Sequence, residues 1–387
     1  TNGNADSPGG TITSTADSIK FPFSLTAQDP VFKLPTAYNW SLTVQRELPG
    51  RFLVELGYVG KRSNYLPRER NINSLLPGQN FVRDTAGNIT STQPIPDALR
   101  PFLGHGPIRL SENAANSIYH SFQATVIRRF SNGFSLDIAY TFSKSLDDAS
   151  DKRNLLPNAF DDANYRALSD FDRPHVFVVN YIYELPVGKG KRFLNSGGIA
   201  NTILGGWQVT GTSYFRSGGP FSINTPVDVL GVGPGAGAQF VTSRGGEITQ
   251  VSDPKLGESF FNDPSLFTLP APGTEGVLGR NFFRDPAYQT HDLALIKNFH
   301  ISEDIRLEFR TEMFNFLNHP ILSRPNTNIN ENNAIVTNFA SPNYGQFTSL
   351  TPAELANGFT TTTRNFGLVT GKSDDRRNIQ FGLKLIF

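Results

Sequence analysis

The sequence predicts an all-β fold: an antiparallel transmembrane β-barrel segment of about nine long strands, with short periplasmic turns and long extracellular loops. Three observations carry this. Apolar and polar residues alternate with period two through most of the chain, the mark of a strand with one apolar and one polar face. The alternating runs are longer than the five or six residues of ordinary globular strands and match the roughly 9–11 residues of a tilted membrane-crossing strand. The connections alternate between very short and very long, the layout of an outer-membrane barrel.

The first strand, near 36–48, sets Tyr38, Trp40, Leu42 and Val44 against Asn39, Ser41, Thr43 and Gln45. After Pro49-Gly50 the second, 51–60, presents Phe52, Val54, Leu56 and Tyr58. The third, 117–129, shows Phe122, Ala124 and Val126 against Ser121, Gln123 and Thr125. The fourth, 134–145, follows Ser131-Asn132-Gly133 and shows Phe134, Leu136, Ile138, Tyr140 and Phe142. The fifth, 175–185, and sixth, 207–217, carry Phe177, Val179, Tyr181 and Tyr183, then Trp207, Val209, Gly211 and Phe215. In the seventh, 291–301, Leu293, Leu295 and Phe299 lead to a turn at Ser302-Glu303-Asp304. The eighth, 305–316, sets Ile305, Leu307, Phe309, Thr311 and Met313 against Arg306, Glu308, Arg310 and Glu312. The ninth, 377–387, sets Ile379, Phe381, Leu383, Leu385 and Phe387 against Asn378, Gln380 and Lys384.

Strands one and two, three and four, and seven and eight are joined by two or three residues, whereas 61–116, 146–174, 218–290 and 317–376 are long connections. The link 186–206 is intermediate. With short turns periplasmic, the first and ninth strands both run from outside inward. Nine is odd, whereas bacterial single-chain barrels have even counts. Residues 1–35 are therefore expected to be an extracellular loop or loose N-terminal segment, and 36–387 the C-terminal portion of a larger barrel. The first and ninth strands should then stay unpaired with each other. A tenth strand near Ile19–Leu25, pairing with 377–387, would instead complete a small barrel.

Composition narrows the functional classes. Lys plus Arg (35) nearly balances Asp plus Glu (34), which argues against a nucleic-acid partner. No apolar run approaches the roughly 18 residues of a membrane helix. Cys is absent, excluding disulfides, thiolate nucleophiles and Cys-ligated zinc, while Phe is abundant at 32.

The segments TAYNWSLTVQRELPGRFLVELGYVGKRSNYL (36–66), YHSFQATVIRRFSNGFSLDIAYTFSKSLDD (119–148), DFDRPHVFVVNYIYELPVGKGKRF (170–193), LGGWQVTGTSYFRSGGPFSI (204–223), HDLALIKNFHISEDIRLEFRTEMFNFLNHP (291–320) and the final RRNIQFGLKLIF together resemble the C-terminal barrel of TonB-dependent receptors of the Oar-like type. The resemblance implies a barrel of about 22 strands, of which these are the last nine. It also implies a plug and a TonB box that this chain lacks, and hence the TonB energy-coupling complex as partner. Outer-membrane lipid and the barrel assembly machinery are the other partners expected in the cell outer membrane. The final strand resembles the signal that machinery reads, carried by Ile379, Phe381, Leu383, Leu385 and Phe387.

The charges Arg306, Glu308, Arg310 and Glu312 would each cost a few kcal/mol on a lipid face, so they are expected to face the lumen. Their alternating signs favour a self-neutralising ladder with Asn298 and His300 across the turn over a solute contact. The aspartates 147, 148, 151, 161, 162, 170 and 172 lack a calcium-loop spacing and are expected on a solvated loop. The basic stretch Gly188-Lys189-Gly190-Lys191 lacks phosphate-loop spacing. Neither HExxH nor GxSxG occurs, so no catalytic residue, metal site or cofactor is expected. Tyr38, Trp40, Tyr58, Tyr140, Trp207 and Phe215 are candidates for interfacial girdles. The leading expectation is a solute-uptake barrel. A passive porin or adhesion barrel, and a secreted β-sandwich binding protein, are the alternatives.

Overall fold

The computed structural model describes residues 22–195, 198–301, 305–373 and 376–387. No described helix is long and apolar enough to cross a membrane, which says nothing of a β-barrel. One antiparallel sheet dominates. Its main strands are β2 (Thr36–Leu48), β3 (Phe52–Asn71), β4 (His105–Ser131), β5 (Phe134–Asp147), β6 (His175–Glu184), β7 (Trp207–Arg216), β8 (Tyr288–His300), β9 (Arg306–Phe314) and β10 (Asn378–Ile386). They pair in chain order, with β2 and β10 at the two edges, and no ladder joins these two among the described residues.

Local chemistry sets the short turns. Asn132 and Gly133 both take left-handed backbone, with φ of 52° and 75°, between the paired Ser131 and Phe134. That is the two-residue hairpin geometry that matches strand twist. The 302–304 turn lies outside the described residues. The link between β6 and β7 holds a short helix, α1 (Ile199–Leu204), that the alternation does not announce.

Register carries the two faces across all nine strands. Leu42 opposes Tyr58, Tyr58 opposes Phe122, and Phe122 opposes Phe142. At the other edge Val209 opposes Leu295, and Thr311 opposes both Leu295 and Phe381. Because side chains alternate strictly, one matched row matches them all, giving a continuous apolar face backed by a polar one. Two glycines on the apolar face accept rings. A Cβ at Gly60 would lie 2.2 Å from the Trp40 ring, and one at Gly211 would lie 2.5 Å from the Tyr181 hydroxyl. These rings cover backbone that the glycines leave bare.

Two expected strands are too short. The second and third, placed at 51–60 and 117–129, extend to Asn71 and back to His105, so the true connection is 72–104. The extensions keep pairing although their pattern is mixed, with register shifts around Leu66. Against them lies β1 (Phe23–Gln28), parallel to His105–Ser111. This strand pairs with β4 rather than with 377–387. Residues 1–21 lie outside the described part.

The hydrophobic core sits in the loops. Phe221, Ile223, Val241, Phe261, Phe267, Phe283, Ile335, Phe366 and Val369 are buried together. They come from the connections 217–287 and 315–377. Phe261 meets Phe267 edge to face at 4.8 Å and Phe283 at 5.1 Å, a favoured aromatic geometry. The other two long connections join this body. Leu75 N–H donates to the Val232 carbonyl at 3.1 Å, and Gly237 N–H to that of Leu156 at 2.9 Å. The four long loops therefore form one packed cap at one end of the sheet.

Candidate functional site

Of the aspartates in the 148–174 connection and its flanks, Asp151, Asp161, Asp162 and Asp170 are exposed, as their spacing suggests, whereas Asp147 and Asp172 are buried and ion-paired, which corrects the expectation for those two. Asp147, 3% exposed, pairs with the equally buried Arg280 from the 217–287 loop. Arg280 Nη1 also donates to Ser150 Oγ at 3.2 Å, and its Nη2 to the Asp147 carbonyl at 2.6 Å. Asp162 receives Arg68 at 2.6 Å, Asp148 receives Arg166 at 3.2 Å, and Asp172 receives Arg284. Sequence spacing showed no calcium loop, but it could not show that the arginines neutralising Asp147, Asp162 and Asp172 lie 133, 94 and 112 residues away.

Where the cap meets the polar face, four arginines converge. Arg216 ends the polar face of β7, opposite Tyr288 and Val176. Its guanidinium lies 5.3 Å from the Tyr288 ring centroid. Arg173, just before β6, donates to the carbonyls of Asp170 at 3.0 Å and Asp172 at 2.7 Å. Arg284 donates to the Gly218 carbonyl at 3.3 Å and to Asp172. Arg324 grips Asp285 through two bonds of 2.8 and 3.0 Å. Arg173, Arg216, Asp285, Tyr288, Leu322 and Arg324 line a cavity of about 140 Å³.

The segment Arg216-Ser217-Gly218-Gly219-Pro220 makes this convergence sterically feasible. A Cβ at Gly218 would fall 1.7 Å from the Asp285 carbonyl oxygen, and one at Gly219 would fall 2.6 Å from Arg173 Nη2. Two side-chain-free residues thus let one guanidinium and one backbone strand lie against the loop. Charge is unevenly matched here. Arg284 and Arg324 have carboxylate partners, whereas no ion pair to Arg173 or Arg216 occurs among the described residues. Burial first, and then the neighbouring Arg216 and Arg284, pull the Arg173 guanidinium below its ordinary pKa. The Asp285 contacts push Arg324 the other way.

The charge ladder foreseen on the eighth strand lies on the polar face of β9. Arg310 donates to Glu308 and to Glu312, each at 3.2 Å. Register sets Asn298 opposite Glu308 and His300 opposite Arg306, and on the other side Lys384 opposite Glu308. The alternating signs are thus arranged for mutual pairing along one strand. Ile379, Phe381, Leu383 and Leu385 form the apolar row of β10, opposite Met313, Thr311, Phe309 and Leu307. Phe387 follows the strand and is 93% exposed.

The girdle candidates Tyr38, Trp40, Tyr58, Tyr140, Trp207 and Phe215 all fall on the apolar face by register. Histidines the alternation did not single out join them. His120 Nδ1 lies 2.7 Å from the Tyr58 hydroxyl, and His175 Nδ1 lies 2.8 Å from that of Tyr140. Lys297 is a second omission. It falls on the apolar face between Leu295 and Phe299, near the short-turn end. Its ammonium donates to the Gly205 carbonyl and lies 4.9 Å from the Phe299 ring centroid. A long stem with its charge led to the strand end is how lysine is tolerated there. A cavity of about 430 Å³ adjoins it, lined also by Glu184, Lys191 and Arg306. There Lys191 is already paired with Glu184 at 2.6 Å.

Among solved structures, the chain is similar to the outer membrane transporter YddB from Escherichia coli, with 11% identity, 78% of this chain and 31% of that chain covered, and a TM-score of 0.38. It is also similar to the ferric-catecholate import receptor Fiu from Escherichia coli, with 7% identity, 92% and 28% covered, and a TM-score of 0.35. The pyoverdine outer membrane receptor FpvA from Pseudomonas aeruginosa gives 12% identity, 91% and 30% covered, and a TM-score of 0.36. The chain spans about 30% of the length of these proteins. No curated protein matches it. The family described as outer membrane beta barrel domain matches residues 1–380, and with its apolar-faced antiparallel sheet and short-turn, long-loop layout the chain belongs to that family, a β-barrel protein of the outer membrane.

Proposed function

We propose that this chain is the barrel portion of a TonB-dependent outer-membrane transporter that takes up a solute. The observation that carries the proposal is the cap. Two long connections with a common hydrophobic core, and two more hydrogen-bonded to them, stand at one end of a membrane sheet, over the end of its polar face. A passive pore needs only a lined channel, whereas capture before energised passage needs a built binding surface at the outer mouth. The cap end is then extracellular, the short turns are periplasmic, and the polar face, with Arg306, Glu308, Arg310 and Glu312, lines the lumen. The row from Ile379 to Phe387 is the signal read by the barrel assembly machinery. The multi-segment resemblance between residues 36 and 387 adds the energy-coupling step, with plug and TonB box supplied outside this chain.

The test is uptake by cells expressing the whole gene product, with and without a protonophore and with and without TonB. Uptake lost in both cases supports the proposal. Uptake unaffected by either would leave a passive porin, the second reading.

A further inference from the structure

We infer that the four-arginine mouth formed by Arg173, Arg216, Arg284 and Arg324 binds an oxyanion group, a carboxylate or a phosphate, borne by the incoming solute. The inference rests on the reading that the polar face of β7 lines the transport path, and it adds the chemical class of the cargo.

The first support is the charge count. Four guanidinium groups surround two carboxylates, Asp172 and Asp285, each already held by one arginine. Asp170, which accepts from Asn281 Nδ2 and stands 3.8 Å from Arg280, adds a third carboxylate, so four guanidinium groups still exceed three carboxylates. Arg173 donates from Nη1 to two backbone carbonyls and forms no ion pair among the described residues, although Asp285 and Asp172 lie near enough to act on its charge. Arg216 faces the open polar side with the Tyr288 ring 5.3 Å away and no ion pair among the described residues. An arginine fork matches a carboxylate or phosphate edge with two parallel bonds, so an oxyanion is the group these unspent charges select.

Size is the second support. A cavity of about 140 Å³ lined by Arg173, Arg216 and Arg324 takes the head of a solute, being well below the roughly 300–1,000 Å³ that encloses a whole drug-sized ligand. The rest of the solute would lie toward the open polar face. The third support is that the site is built. Gly218 and Gly219 permit approaches that any side chain would block, and Arg324 and Arg284 are fixed by Asp285 and Asp172. Such preorganisation lowers the ordering cost of capturing a ligand.

The experiment is calorimetric titration of the purified full chain in detergent with inorganic phosphate and, separately, with tricarballylate, with sucrose as the neutral control. Binding of either anion without sucrose binding is expected, and which anion binds identifies the source of the oxyanion. Arg216→Gln should weaken it about tenfold or more, the loss of one charge-assisted hydrogen-bonded pair. Arg216→Lys should fall between, keeping charge without the fork. Arg62→Gln, away from the mouth, should leave binding unchanged. Should Arg216→Gln fail to fold, phenylglyoxal labelling of the unaltered protein replaces it: phosphate or tricarballylate should protect Arg216 and Arg173 from modification. Absence of anion binding and of protection, equal sucrose binding, or an Arg216→Gln titration matching the unaltered protein would overturn the inference. Because binding is read without transport, anion binding in a protein whose uptake proves passive would sink the transport proposal alone.

Discussion

The buried pair between Arg280 and Asp147 gives a measurable handle on the cap. Replacing Arg280 by Met keeps most of the stem volume and deletes the charge. Asp147 would then retain the Ser150 hydroxyl, 2.8 Å from Oδ2, as its remaining side-chain donor. The carbonyls of Asp147 and Tyr165 would lose donors, and the Tyr165 ring its cation 5.3 Å away. Breaking one partner of a buried pair costs about 3–5 kcal/mol, because the survivor stays desolvated. The cap should bear that cost, since Arg280 holds the 217–287 connection to Asp147 at the end of β5 and to Ser150 and Tyr165 of the 148–174 connection. The double variant Arg280→Met with Asp147→Leu should recover most of it, as apolar pairs of similar volume often match buried ion pairs within about 1 kcal/mol or better them. Hydrogen exchange of the Val241, Phe260 and Phe366 amides in detergent reads the cap directly, because their opening energy falls with it. Unchanged exchange in the single variant, or a double variant as labile as the single, would refute the assignment of this pair as an interloop clamp.

Three further outcomes are expected. Leu307→Arg or Phe309→Arg should destabilise the folded barrel by about 2–4 kcal/mol if near the bilayer midplane, while Glu308→Gln stays mild; equal losses in reversible unfolding in lipid would invert the faces. Deleting Phe387 should slow insertion of the full-length protein, read as loss of the heat-modifiable gel band, and normal insertion would remove the residue from the assembly signal. Glu354 caps α2 (Pro352–Ala356) and pairs with Arg364, which holds its carboxyl near about 2 against an ordinary 4.5. A lowered acid stabilises above its ordinary value and loses that contribution as pH falls through its folded one, so exchange of the α2 amides should accelerate between about 4.5 and about 2. Arg364→Gln should shift the acceleration to higher pH, and an unmoved profile would show the pair to be inert.

Much of the membrane sheet was legible because alternation is a local signal. Phe122, Ala124 and Val126 announce their own face without any knowledge of a neighbour, and Asn132-Gly133 announces its own turn. Lys297 escaped because one charge in an apolar row reads as an interruption until the nearby Gly205 carbonyl is seen to receive it. The ends of β3 and β4 escaped for a related reason. Outside the bilayer neither face must be apolar, so Ser63 to Asn71 carries no clean pattern while its hydrogen bonds continue. The cap was hidden almost entirely. Phe221, Phe261, Phe267 and Phe366 sit in irregular segments with no shared period, and only their excess in the composition hinted at a second core. The arginine mouth was not legible: the close backbone approach at Gly218-Gly219 beside Arg216 appears only in the folded chain, and Arg324 comes from a connection that no spacing links to it.

The common core of the cap also ties pairing in the sheet to packing outside it. The connections 217–287 and 315–377 leave the sheet at the ends of β7, β8, β9 and β10, and meet again at Phe261, Phe283 and Phe366. A slip of two residues between β8 and β9 would keep every apolar side chain on its face, so the lipid would not oppose it. The same slip would carry the loop ends about 7 Å past one another, at roughly 3.4 Å per residue. The Phe366 ring, seated 5.0 Å from that of Phe267 and 6.0 Å from that of Phe261 across the two connections, could not stay in contact across that distance. The cap thus proofreads the alignment of the strands beneath it, rejecting an error to which the bilayer is blind.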